Sequence, residues 1–136
     1  MVGTSRKTKN RGGRIRRGGW PKSTVTMSGE RLPSRGEVWW VRVDKRRPAI
    51  VVQTDRVREP RVSSFLVVPL TSRLHLEGLP GNVRLHRRAT RLPRASVANV
   101  YDVQKVLRPD FLECLGLLPA EDVSAIDDAL RLVFDV

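Results

Sequence analysis

The chain of 136 residues carries 26 Lys and Arg against 14 Asp and Glu, a formal net charge of +12, and one cysteine. That length suits one small domain, and a lone Cys114 excludes an intramolecular disulfide framework. No apolar run is long enough to span a bilayer and none follows the basic start as a secretory signal would, so a cytoplasmic chain with no membrane partner is expected, and the cationic excess makes a polyanion the first partner to consider.

Residues 1–36 hold ten Lys or Arg and a single acid in a Gly-, Ser- and Thr-rich setting without apolar periodicity. Residues 1–33 are expected to form a basic, disordered extension, with 34–136 as the folded domain. The "SRKTKNRGGRIRRGGWPKS" texture reads either as a nucleic-acid-binding arm or as a segment preceding a start at Met27.

Beyond this extension lie short runs rich in β-branched and aromatic residues: Gly36–Val43, Pro48–Thr54, Ser63–Thr71, Gly81–His86 and Ala95–Leu107. Their links, such as Asp-Lys-Arg and Gly-Leu-Pro-Gly, supply turn chemistry. With no long helical crossover, these strands predict an antiparallel, strongly twisted sheet or a small barrel. Arg108–Leu115 reads as a short helix, and "FLECLGLL" as buried helix holding Cys114 as a structural thiol. In "LLPAEDVSAIDDALRLVFDV", Pro119 suits a first helical turn, Glu121 and Asp122 favour the positive end of the dipole, and Val123, Ile126, Leu130 and Val133 repeat at helical spacing. The class is mainly β with appended helices, α+β.

Charge is sorted along this body. Residues 42–94 hold thirteen basic and four acidic side chains, whereas 109–136 hold one and seven, so the basic half reads as a binding face. Of the pair Trp39–Trp40, which straddles both faces of the first strand, one is expected in the core and the other at an interface or against a base. His75 and His86 are read as surface or RNA-contact residues, and with Cys114 they make no zinc motif, so neither metal nor cofactor is expected.

Taken in order, "RGEVWWVRV", "RRPAIVVQTD", "VVPLTSR", "GNVRL", "LPRASVANV" and "CLGLLPAEDVSAIDDAL" resemble the successive motifs of the MazF/PemK toxins of bacterial toxin–antitoxin systems, from about Ser34 to Val136. The resemblance implies an SH3-like antiparallel barrel of the MazF/PemK/CcdB type with a C-terminal helix. It implies a homodimer, neutralised by a cognate acidic antitoxin. It also implies a sequence-selective, metal-independent endoribonuclease on single-stranded RNA (mRNA, tRNA or rRNA), leaving 2′,3′-cyclic phosphate and 5′-OH ends. Arg47 matches the family arginine that stabilises the phosphate and shares in proton transfer, and Thr71 the threonine that orders the scissile group. A guanidinium presents a planar fork to phosphate oxygens that lysine cannot reproduce. Arg46, Ser72, Arg73 and Asp102 are the expected RNA contacts.

Two departures bear on function. "VDKRRP" closes the gap between the first two strands with almost no loop, where family members carry a longer one over the RNA. Tyr101, Asp102, Gln104 and Lys105 stand where members carry a base-reading Asp/Glu-Gln pair, so base preference does not transfer. Two rivals remain open: a catalytically silent RNA- or antitoxin-binding module, and a gyrase-inhibiting toxin of the same fold, whose Trp-Gly-Ile end "VFDV" lacks.

Overall fold

The computed structural model describes residues 31–57 and 59–136. Expectations for the basic extension, including Met27 as a start, fall almost wholly outside them.

Seven strands of one sheet are found among the described residues: β1 (Glu37–Arg42), β2 (Arg46–Val51), β3 (Ser64–Thr71), β4 (Val83–Leu85), β5 (Ser96–Ala98), β6 (Gln104–Leu107) and β7 (Phe111–Leu117). Helix α1 (Arg87–Thr90) precedes β5, and α2 (Ala120–Phe134) closes the chain. The order is β4-β5-β3-β2-β1-β7, with β6 also on β3, and every pairing is antiparallel. The expected mainly β architecture is therefore the one observed.

Strand alternation sorts the apolar residues into two cores, one on each face. Val38, Ile50, Val68 and Leu70 pack with Ile126 and Ala129 of α2. Trp39, Val41, Ala49, Val51 and Val67 pack with Phe65 and Phe111, whose rings meet edge to face at 5.5 Å. Because both faces are covered, β1 reads as nearly continuous burial instead of strict alternation. Gly36 opens this strand at φ +89, where a Cβ would press on Leu117 and Val123 at 3.1 and 3.2 Å, so a glycine is needed.

Three expectations are corrected. Arg108–Leu115 is not a helix: Arg108–Asp110 is one 3-10 turn around Pro109, and Phe111–Leu117, with Cys114, is the strand that pairs β1 along Glu37–Val41. Cross-strand pairing and the seat of Phe111 against Trp39 override the helical preference of Leu and Glu. Ala95–Leu107 is not one strand. It leaves β3 at Asn99, turns with Asp102 N donating to Asn99 O at 3.2 Å, and rejoins β3 as β6. Pro119 stands one residue outside α2, as its N-cap. No helix among the described residues is long and apolar enough to cross a membrane.

Candidate active site

The β1–β2 connection is a tight turn over Val43–Lys45, with Val43 N donating to Lys45 O at 3.2 Å, so Arg46 and Arg47 become the first residues of β2. Prolines limit the next pairing. The β2–β3 ladder begins at Ala49↔Pro69, and neither Pro48 nor Pro69 has an N–H to extend it. Carried on by two residues, the same register sets Arg47 across from Thr71. Beyond the end of the ladder the strands border a cleft of about 750 Å³.

All six expected site residues line this cleft: Arg46, Arg47, Thr71, Ser72, Arg73 and Asp102. The fold joins them from the start of β2, the end of β3 and the turn after β5. The Arg47 fork is engaged by Asp44, with Nε donating to Oδ1 at 2.9 Å and Nη2 to Oδ2 at 3.1 Å. This bond is the main reason the Asp44 carboxyl is held down at about 2, and it raises Arg47 in turn, with a smaller contribution from Asp102. Thr71 Oγ1 accepts from Arg73 N at 3.1 Å, which leaves its own hydrogen to be donated into the cleft. Asp102 accepts from Gln104 Nε2 at 2.9 Å. Arg46 lies over the Trp40 ring, its Cζ 4.4 Å from the centroid, and Nη2 reaches Glu113 at 3.4 Å.

Trp39 is the core member of the tryptophan pair, and Trp40 is the half-buried one at the cleft. Sequence reasoning missed Lys45, Arg94 and Asn99 as lining residues. The signal for Arg94 was available: a cation directly before a strand, in the basic half of the chain. Neither histidine lines the cleft. His86 instead caps α1, its Nδ1 accepting from Arg88 N at 3.0 Å, and His75 lies in a 3-10 turn at Leu74–Gly78. Among the described residues no three His, Cys, Asp or Glu side chains converge as a metal site.

Comparison with known proteins agrees with this architecture. The family of PemK-like, MazF-like toxins of type II toxin–antitoxin systems matches residues 34–134. Endoribonuclease MazF6 of Mycobacterium tuberculosis is 34% identical over 111 residues, covering 76% of this chain and 97% of the relative. The solved Mycobacterium tuberculosis toxin MazF-mt6 superposes with a TM-score of 0.65 at 25% identity, over 74% of this chain and 97% of that one. A MazE–MazF structure from Deinococcus radiodurans shares the fold, with a TM-score of 0.64 at 21% identity over 79% and 99%. The chain belongs to the PemK-like, MazF-like toxin family.

Proposed function

We propose that this toxin is an endoribonuclease that cleaves single-stranded RNA at short sequences, without a metal, by attack of a ribose 2′-OH on the adjacent phosphate. The 2′-oxygen forms a bond to phosphorus and gives up its proton, the bond to the 5′-oxygen breaks, and that oxygen takes a proton. A 2′,3′-cyclic phosphate and a 5′-OH remain. The observation that carries this reading is the convergence of Arg47 and Thr71 in one cleft with Arg46, Arg73 and Arg94. Charge accumulates on the non-bridging oxygens as the bond forms, and preorganised donors aimed there favour the transition state over the ground state. Arg47 supplies a two-pronged donor and shares in proton transfer, while Thr71 supplies a hydroxyl whose hydrogen is free. Arg73 and Arg94 hold the strand by its phosphates and neutralise charge that a cation would otherwise meet.

One observation favours a second reading, the silent binding module. The Nε–Nη2 edge of Arg47 is already paired with Asp44, and RNA must displace that carboxylate or take the remaining Nη1–Nη2 edge. Membership of a toxin–antitoxin family makes an acidic antitoxin segment the expected protein partner, lying in the basic cleft in place of RNA, with a homodimer as the working unit. Incubating the protein with single-stranded RNA in EDTA decides between the readings. Cleavage leaving cyclic phosphate and 5′-OH ends is expected. Binding without cleavage would favour the silent module, and 5′-phosphate ends would overturn the chemistry.

A further inference from the structure

The Arg46–Trp40 pair is built in an unusual way for two residues of a phosphate-binding cleft. Trp40, on β1, stands opposite Pro48 of β2 on one side and Glu113 of β7 on the other, with Arg46 on the diagonal, so all four share one face of the sheet. The indole packs against the core beneath α2, and Arg46 covers it at 4.4 Å. The guanidinium is thus backed by a ring that itself packs against the core. Its Nη2 edge reaches Glu113 at 3.4 Å, and its side chain is still 57% exposed. A guanidinium engaged only with a phosphate needs neither an aromatic backing nor a carboxylate at its edge. A planar cation that lies over an aromatic ring and is still largely exposed can serve as a stacking platform, because Arg planes and aromatic rings accept unstacked bases of single strands.

We infer that Trp40 and Arg46 form a subsite for one unpaired nucleobase, which stacks on the exposed guanidinium of Arg46 beside the nucleotide held by Arg47. This rests on the reading of the cleft as an RNA-cleaving site and assigns part of its specificity. Arg46 touches the base. Trp40 and Glu113 are positioning residues that hold the guanidinium in place over the ring. Arg46 and Arg47 both line the one cleft, which puts the stacked base near the cut. Stacking is tolerant of base identity, so this subsite demands an unpaired base more than a particular one.

The test uses a short single-stranded RNA carrying the site mapped for the wild-type protein, made uncleavable by a 2′-deoxy sugar at the attacking nucleotide. A series lacks one base at a time. Removing the stacked base should weaken wild-type binding by about tenfold, in keeping with the loss of one base–plane contact. Arg46→Lys keeps the charge but has no plane. In it, the same base removal should cost less than about twofold, while the salt dependence of binding stays as in wild type. Trp40→Leu should reduce the penalty in the same way. If that variant fails to fold, the Arg46→Lys comparison stands by itself.

A penalty that stays at its wild-type size in Arg46→Lys at every position would overturn the subsite and leave the nuclease reading intact. A wild-type protein that neither cuts nor binds a single strand would overturn both.

Discussion

Two arginine–carboxylate pairs stand at opposite ends of β1, and they behave in opposite ways. At its start Glu37 is fully buried, paired with Arg31, and accepts from Ser34 N at 2.9 Å and Trp39 Nε1 at 2.8 Å. Burial drives its carboxyl up to about 7 against the pull of those partners. Beyond the other end, Asp44 is 67% exposed and its bond to Arg47 draws it down to about 2. A carboxylate withdrawn from water pays for desolvation and is retained for what it organises, here the strand start and the Trp39 ring. A solvated carboxylate on a guanidinium contributes little to stability and gives way to another anion, which is what a phosphate site requires. The first pair is a structural anchor and the second an exchangeable occupant of the proposed catalytic fork.

Breaking the anchor should give the largest effect. Glu37→Ala removes the one carboxylate that Arg31, Ser34 N and the Trp39 indole share, and should lower unfolding stability by about 3 kcal/mol or more, read from the urea midpoint. A loss within experimental error would mean that the pair organises nothing.

Titrating the anchor sharpens the contrast. In the unfolded chain Glu37 ionises near 4.5, but in the folded protein near 7. Between those values the unfolded state gives up a proton that the folded state keeps, so stability is full below about 4.5 and declines as pH rises to about 7. The melting temperature should fall by about 5 °C or more across this window in the wild-type protein, and this component should be missing from Glu37→Gln. Asp44 titrates too low to contribute there. A wild-type profile that Glu37→Gln reproduces would contradict the assignment.

The exposed pair should respond least. Asp44→Asn leaves the Arg47 fork open and removes a negative charge beside the phosphate, so an uncleavable RNA strand should bind about threefold more tightly, with the melting temperature unchanged. Tenfold weaker binding would instead make Asp44 a direct RNA contact.

Much of this could be read from the residues. Strands β1 to β4 announce themselves by β-branched runs between turn residues, and the ordered motifs alone point to Arg47 and Thr71. What stayed hidden depends on contacts distant in sequence. Phe111–Leu117 has helix-tolerant composition and becomes a strand because β1 offers an edge and Trp39 a partner for Phe111. The split of Ala95–Leu107 arises at Asn99, whose side chain accepts from Tyr101 N at 3.3 Å and supports a turn away from β3. Arg94 and Asn99 reach the cleft only because the segments around β5 fold back over the end of β3. The hold of Asp44 on Arg47 likewise comes from the closure of the shortened turn.

The most direct test of this division of labour is the single-turnover rate of RNA cleavage by Arg47→Ala, measured beside its urea midpoint and its affinity for an uncleavable strand. The rate should fall by about a hundredfold or more, as when one preorganised transition-state donor is lost, with the midpoint unmoved and binding weakened far less. Cleavage at the wild-type rate would remove Arg47 from the chemistry, and a loss of rate that only tracks a loss of folded protein would make the exposed pair a second anchor.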